Sequence, residues 1–259
     1  MITTMVILPS LTFPVKELRK IVAIQHYEER MLCWLLELAD PDVQIVYVSS
    51  VSIDPAIIDY YLGFLDDPDN AAKRLHLMSL DDPEPRPLSA KLLERRQVLA
   101  EIRELGSGAS RACVWPFNVT ALEAEVARII EVPIYGPHPD LIPLGSKSGS
   151  RNIARAAGVP VLRGAEDLTS VEEVENALWR LKRLLPAGAS AVIKLNNGFS
   201  GQGNAIVELD SLTTPLSGSG VTFCAREESW ASFKETIIRE GRLSRSSCVH
   251  QVCSHPVCR

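Results

Sequence analysis

The stretch AVIKLNNGFSGQGNAIVEL, residues 191–209, decides how the second half of the chain is interpreted. One β-branched run ends at Lys194 and another follows Asn204, so the pattern predicts two strands joined by a loop of small and polar residues. The loop glycines allow positive φ angles and leave backbone N–H groups uncovered, which suits a loop that folds over a polyphosphate. A flexible hairpin with solvated polar residues is the alternative. The candidate phosphate-binding residues of this segment are Lys194, Asn197, Gly198, Ser200, Gly201, Gln202, Gly203 and Asn204.

Predicted strands flank this loop on both sides, which distinguishes it from phosphate-binding loops that lead from a strand into a helix. A second segment, LGSKSGSRNIARAAGVPVL at 144–162, places Lys147 and Arg151 four residues apart on one face of a helix that ends at Gly158. Two cations on one helix face suit an anionic ligand, and two exposed surface charges with acidic neighbours are the alternative. A strand is predicted next, at 159–162.

The first 136 residues alternate short apolar runs with helical patterns. Strands are predicted at 5–8, 44–49, 75–79, 111–115 and 132–135, and helices at 26–38, 55–65, 90–105 and 121–130. Strands that are apolar on both faces and alternate with helices are typical of a parallel sheet covered by helices. The sequence therefore predicts an α/β fold whose first domain is a doubly wound parallel sheet.

Two places in this first half are candidates for ligand contact. His26 and Tyr27 precede Glu28 and Glu29, and the favoured interpretation is a helix start with a solvated acidic face. The segment 118–120 follows the fourth predicted strand, at the sheet end where open α/β sheets bind ligands. N-capping of the next helix by Asn118 or Thr120 is the alternative.

Composition limits the possible partners. The 259 residues carry a formal net charge of −5 without a lysine or arginine block, so we expect no nucleic-acid partner. The first residues lack the basic start of a signal peptide, and no apolar run is long enough to span a bilayer, so we expect a cytoplasmic protein without membrane contact. The isolated cysteines at 33, 113 and 224 are expected to be small apolar packing residues.

The last residues, GRLSRSSCVHQVCSHPVCR, crowd three cysteines and two histidines without apolar periodicity. A zinc site made of Cys248, Cys253, Cys258, His250 and His255 is one interpretation. The favoured hypothesis is an out-of-frame tail that begins near residue 241, and an ordinary tail is the third possibility.

Taken together, the two cationic segments resemble the ATP-grasp superfamily, and more closely the peptide ligases of the pheganomycin-biosynthesis type. The resemblance covers roughly residues 5–209 and rests on HYEER at 26–30, IDPAIIDYYL at 53–62, PFNVT at 116–120, LGSKSGSR at 144–151 and VIKLNNGFSGQGNA at 192–205. It implies that Lys147 and Lys194 contact ATP, that 198–204 is the loop covering the phosphates, and that Arg151 is a weaker candidate for the same pocket.

The resemblance also implies the domain organisation. We expect a pre-ATP-grasp α/β domain at 1–136, the lid subdomain of a partial ATP-grasp domain (an α+β arrangement) at 137–214, and a truncated or out-of-frame tail at 215–259. Members of the superfamily use Mg²⁺ held by acidic residues and an asparagine. No such ligands are recognised after 209 in this sequence, so none is assigned.

The function implied is an ATP-dependent ligase that joins a carboxylate to an amine through an acyl phosphate, with an amino acid or peptide as substrate. Because the expected metal-binding part is not recognised, we expect weak activity or none. A non-catalytic nucleotide-binding or scaffold protein is the alternative. A nicotinamide-dependent oxidoreductase is disfavoured, because the first strand leads into PSLTFP rather than a glycine-rich turn. The oligomeric state is left open.

Overall fold

The fold is taken from a computed structural model, which describes residues 2–196, 203–225, 228–243 and 250–255, the last stretch and 240–243 by their backbone alone. The chain divides into two compact units, Met1–Asp140 and Leu141–Arg259. In the part of the chain so described, no helix combines the length and the apolar character needed to cross a bilayer.

The first unit is built on a four-stranded parallel sheet in the order β3-β2-β1-β4. Its strands are β1 Thr3–Leu8, β2 Val43–Ser49, β3 Leu75–Ser79 and β4 Arg111–Pro116. Its helices are α1 Val15–Leu18, a 3₁₀-helix Ile24–Ala39, α2 Pro55–Leu62, α3 Pro68–Ala72, α4 Leu88–Leu93, α5 Arg96–Ser107 and α6 Ala121–Ile130, and a short 3₁₀ turn covers Pro139–Leu141. The predicted parallel α/β sheet is confirmed.

Both faces of this sheet are buried, as the continuous apolar strands predict. Val6 and Leu8 point into a core shared with α4, α5 and α6. Met5 and Ile7 point into a second core, shared with the 3₁₀-helix Ile24–Ala39 and with α2. Full burial of one such aliphatic side chain stabilises the fold by roughly 1.5–3 kcal/mol, so alternate residues of one strand hold helices on opposite faces.

The predicted fifth strand of this unit, at 132–135, is wrong as a full strand. It forms one parallel bridge, between Val114 and Ile134. The Pro133 carbonyl accepts from the Val114 amide at 2.8 Å, and the Tyr135 amide donates to the Val114 carbonyl at 2.8 Å. Because proline has no N–H to donate, the pairing does not extend further.

The second unit contains a five-stranded antiparallel sheet in the order β5-β9-β6-β7-β8. The strands are β5 Gly164–Leu168, β6 Ser190–Leu195, β7 Asn204–Glu208, β8 Val221–Phe223 and β9 His250–His255. The helices are α7 Ile142–Gly145, α8 Lys147–Ala156, α9 Val171–Leu184 and α10 Trp230–Leu243, with a 3₁₀ turn at Leu209–Ser211. The strands predicted around the glycine-rich loop are present as β6 and β7.

The predicted strand at 159–162 is wrong, and the strand lies at Gly164–Leu168 instead. Helix α8 is followed by Gly158 at a φ of +73°, which turns the chain away from the helix axis. Val159 and Leu162 are then 55% and 49% exposed. Pro160 lacks a backbone donor, so the segment has neither the burial nor the hydrogen bonds of a strand.

The core of the second unit forms between α9 and the sheet. Val174, Leu178 and Leu181 of α9 pack with Ile193 of β6 and Val207 of β7. The same core includes residues beyond the expected domain limit at 214, namely Leu216, Phe233 and Ile237. In the tail, the backbone of β9 pairs with β5 and β6, and the side chains of the proposed zinc ligands lie outside the described residues.

Candidate functional site

The N-terminus of α8 is fixed by a tight turn that positions Lys147 at the first helical residue. The Ser146 hydroxyl caps the helix by accepting from the Gly149 amide at 3.0 Å. A Cβ on Gly149 would lie 2.1 Å from the Pro143 carbonyl oxygen, so the approach of the two segments requires glycine there. The sequence SKSG therefore holds Lys147 in a defined position.

Asn196 connects this helix end to the end of β6. The Lys147 ammonium donates to the Asn196 backbone carbonyl at 3.3 Å, and the Ser148 amide donates to the Asn196 side-chain oxygen at 2.9 Å. Asn196 is 6% exposed and stands two residues after Lys194. The two cationic segments singled out in the sequence therefore meet at one hairpin.

The hairpin itself is partly described. Lys194 lies opposite Asn204 in the β6–β7 register. Gly203 has a φ of +72°, and a Cβ there would lie 2.7 Å from Leu195, so only glycine allows the chain to return this closely. The predicted phosphate-binding residues Asn197, Gly198, Ser200, Gly201 and Gln202 lie outside the described residues.

Glu228 joins this hairpin and was not anticipated from the sequence. Its carboxylate accepts from the Gly203 amide at 2.8 Å. The second Glu228 oxygen and the side-chain oxygen of Asn204 are buried without a hydrogen-bond partner among the described residues. Buried oxygen acceptors without donors are unfavourable, so this place suits a ligand that brings hydrogen-bond donors or a cation. No local motif marks Glu228, which is 25 residues from its partner.

Arg151 lies one helical turn after Lys147 but contacts other groups. Its guanidinium forms an ion pair with Glu166 and donates to the Leu162 carbonyl at 2.6 Å. Arg155 donates to the same Glu166 oxygen at 2.9 Å. Burial raises the pKa of the Glu166 carboxyl, but the hydrogen bonds and charges of the two arginines outweigh this, and the net pKa is lowered. The structure thus places Arg151 with Glu166, and the described hairpin residues, 190–196 and 203–208, are not among the partners of its side chain.

In the first unit, a buried polar network lies at the carboxyl end of β2. The Glu28 carboxylate accepts from the Ser50 amide and hydroxyl, both at 2.6 Å, and the Lys91 ammonium donates to the Ser50 hydroxyl at 2.8 Å and to the Asp82 carbonyl at 2.6 Å. Glu28 is 7% exposed and Lys91 is 1% exposed. The expectation that Glu28 belongs to a solvated helix face is wrong, because its partners come from distant elements.

Burial shifts both ionisable groups of this network towards their neutral forms. Burial raises the pKa of the Glu28 carboxyl, although the Ser50 hydrogen bonds and the Lys91 charge act in the opposite direction. Burial lowers the pKa of the Lys91 ammonium, and the nearby carboxylates offset this in part. The Ser50 hydroxyl contacts both Glu28 and Lys91, so the network links the 3₁₀-helix Ile24–Ala39, the end of β2 and α4.

The two polar residues after β4 have structural partners. Thr120 is the N-cap of α6 and forms a reciprocal capping box with Glu123, whose carboxylate accepts from the Thr120 amide at 2.8 Å. The Asn118 side-chain oxygen accepts from the Thr12 amide at 3.2 Å. Glu123 also accepts from the Thr12 hydroxyl. Of the two interpretations of this segment, the structure favours helix capping over ligand contact.

No family model matches the chain. The chain is 29% identical over 228 residues to L-propargylglycine–L-glutamate ligase of Streptantibioticus cattleyicolor, an alignment that covers 84% of this chain and 47% of that protein. It is 25% identical over 210 residues to IQ motif-containing protein H of Danio rerio, covering 74% of this chain and 20% of that protein. The chain thus spans about half or less of the length of these relatives, and over most of its own length it resembles part of a ligase.

Proposed function

We propose that this chain contains the nucleotide-binding part of an ATP-dependent ligase that joins a carboxylate to an amine through an acyl phosphate. The observation that carries the proposal is the double hydrogen bond from the start of α8 to Asn196. It brings the helix end that bears Lys147 to the hairpin that bears Lys194. The similarity to a ligase, and the sequence resemblance to ATP-grasp enzymes, support this assignment.

In this proposal the two lysines act by charge. A carboxylate oxygen of the substrate attacks the γ-phosphorus of ATP, and ADP leaves. The amine of the second substrate then attacks the acyl carbon, loses a proton and expels inorganic phosphate. Both steps concentrate negative charge on phosphate oxygens, so Lys147, Lys194 and the backbone N–H groups of the glycine-rich loop favour them by positioning and charge neutralisation. No covalent intermediate with the protein is required.

ATP-dependent ligases of the resembled superfamily use Mg²⁺. The described residues do not provide a complete set of ligands for this ion. No group of three or more histidine, cysteine or acidic side chains within 2–196, 203–225 and 228–239 could hold a metal ion. Asn204 and Glu228 offer two partnerless oxygens of the type that Mg²⁺ accepts, but two oxygens are fewer than it requires. No step is therefore assigned to the ion.

The proposed substrate class is supported by the name of one relative. L-propargylglycine–L-glutamate ligase is named for joining two amino acids. We therefore propose an amino acid or a short peptide as the carboxylate and as the amine in the reaction of this chain. The expectation of weak activity or none stays a prediction, which ADP release with amino acids present would test.

Calorimetric titration with ATP, with and without Mg²⁺, tests the nucleotide site. Lys194→Ala is expected to weaken ATP binding about tenfold or more, because one charge-assisted contact to phosphate is lost. Lys182→Ala on α9 is the matched control, since Lys182 contacts the Asp210 carbonyl at 3.4 Å and the Trp179 ring, neither of which belongs to the predicted nucleotide site. Equal ATP affinity of the parent and Lys194→Ala would contradict the assignment.

A non-catalytic nucleotide-binding protein is the second candidate. It is favoured by the similarity to IQ motif-containing protein H, whose name describes no reaction. This alternative predicts ATP binding that is modest and independent of Mg²⁺, together with no ADP release in the presence of any amino acid. The ligase proposal predicts that Mg²⁺ strengthens ATP binding.

A further inference from the structure

A cleft of about 300 Å³ lies within the second unit, between the basic face of α8, the segment 161–165 and α9. Four arginine side chains line it: Arg151, Arg155, Arg163 and Arg180. Its volume is at the lower end of the range of small-molecule pockets.

The positive charge of the cleft is only partly neutralised. Glu166 pairs with Arg151 and Arg155. In the part of the chain that the structure describes, the guanidinium groups of Arg163 and Arg180 form no hydrogen bond and no ion pair. The neighbours of Arg180 one turn away on α9 are Asn176 and Leu184, so its own helix supplies no carboxylate there either.

The remaining lining of the cleft is apolar. Its larger side chains are Val161, Leu162, Leu181 and Leu184, beside Gly164, Ala165 and Ala177. Leu162 is 49% exposed and Leu184 is 55% exposed. Exposed apolar surface beside unneutralised guanidinium groups favours a ligand with an apolar body and an anionic end. A fully hydrated inorganic anion would leave this apolar surface in water.

The place where Lys147 meets the described part of the β6–β7 hairpin does not line the cleft. Lys147 donates to the Asn196 carbonyl at the end of β6. Arg151, one turn later on the same helix, is paired with Glu166 and contacts the Leu162 carbonyl. The cations of helix α8 therefore lie at two places. Lys147 contacts the hairpin at Asn196, whereas Arg151 and Arg155 line the cleft.

We propose that this cleft binds a small phosphate monoester with an apolar body. Guanidinium groups come from three chain segments, so they approach the ligand from different directions. A phosphate monoester has three peripheral oxygens and up to two negative charges, so it can accept from more guanidinium groups at once than a carboxylate, which has two oxygens and one charge. The apolar residues of the cleft floor then contact the organic part of the ligand.

Titration with phenyl phosphate tests this proposal. The expected result is saturable binding that Arg163→Gln combined with Arg180→Gln weakens at least about tenfold, since two charge-assisted contacts are lost. Arg183→Gln is the matched control, because Arg183 is an exposed residue of the same helix outside the cleft lining. Since neither substituted arginine has a partner among the described residues, circular dichroism is expected to show an unchanged fold.

Three outcomes would overturn the proposal: no saturable binding of phenyl phosphate to the parent chain, equal binding by the double variant, or a loss of the same size in Arg183→Gln. Inorganic phosphate is expected to bind at least about fivefold more weakly than phenyl phosphate, since it leaves the apolar floor uncovered. Equal affinity for inorganic phosphate and phenyl phosphate would contradict the proposed contact between the apolar residues of the cleft and the organic part of the ligand. Lys194→Ala is expected to keep phenyl phosphate binding intact, so failure of the nucleotide assignment and failure of this one are distinguishable.

Discussion

Replacing Gly203 with alanine tests the geometry that brings the two strands of the hairpin together. Gly203 has a φ of +72°, a conformation that costs an alanine roughly 1–2 kcal/mol. The new Cβ would also lie 2.7 Å from three carbon atoms of Leu195, well inside the usual contact distance. Leu195 is 6% exposed and belongs to the core, so it cannot move away without disturbing its neighbours.

The loss of unfolding free energy in Gly203→Ala has a backbone part and a packing part, and a matched variant separates them. Gly188 has a φ of +79°, but a Cβ there would meet nothing within 4 Å. Gly188→Ala is therefore expected to cost only the backbone part, and Gly203→Ala to cost roughly 1–3 kcal/mol more, the usual range for forcing extra carbon into a packed core. The smaller entropy of the unfolded alanine chain affects both variants equally and cancels in the difference.

Urea unfolding of the parent and the two variants measures this difference, and hydrogen exchange of the β6 and β7 amides locates it. Faster exchange confined to these strands in Gly203→Ala, together with weaker ATP binding, is expected if the return of the chain against Leu195 shapes the hairpin. Equal destabilisation by both variants would refute the argument, because the close approach would then contribute nothing beyond the backbone conformation.

Three further variants follow from the described contacts. Burial raises the pKa of Glu28, so the contribution of this carboxyl to stability is fully present below pH about 4.5 and is lost as pH rises through the raised value. Glu28→Gln lacks this loss, so its unfolding free energy relative to the parent is expected to rise with pH. Urea unfolding at a series of pH values measures the difference, and a constant difference would contradict the argument. Thr120→Ala removes the cap of α6 and is expected to cost about 1 kcal/mol in urea unfolding, whereas no loss would mean that Glu123 holds the helix end alone. Leu178→Ala empties a fully buried site against the sheet and is expected to cost about 2–5 kcal/mol in the same measurement; a cost below about 1 kcal/mol would contradict the packing of α9.

Elements set by local signals were predicted well. The strand predicted at 44–49 is observed as Val43–Ser49, and the helix that begins after Asp54 starts at Pro55, where the Asp54 side chain accepts from the Ala56 amide. In both cases neighbouring residues along the chain contain the necessary information: a continuous apolar run for the strand, and an N-cap followed by proline for the helix. The strand predicted at 159–162 failed because its apolar residues resembled those of a strand, while Pro160 and the exposure of Leu162 exclude one.

The buried charges could not be predicted in this way. Glu28 appeared as one acidic residue of a solvated helix start, but its carboxylate lies against Ser50, which is 22 residues away. Lys91, which is 41 residues from Ser50, completes the network. Whether an acidic residue is solvated or buried depends on partners that only the assembled sheet brings together, and no spacing along the chain encodes them.

The same reason limits what the pattern of cations could indicate about the site. By spacing alone, Lys147 and Arg151 were two cations four residues apart on one helix face, and only the family resemblance made Arg151 the weaker candidate. In the structure, one contacts the hairpin backbone at Asn196, while the other is neutralised by Glu166, which is 15 residues away. An anion-binding residue is therefore identified by the position of the nearest carboxylate as much as by its own charge. That criterion favours Arg163 and Arg180, which the sequence did not single out, over Arg151, which it did.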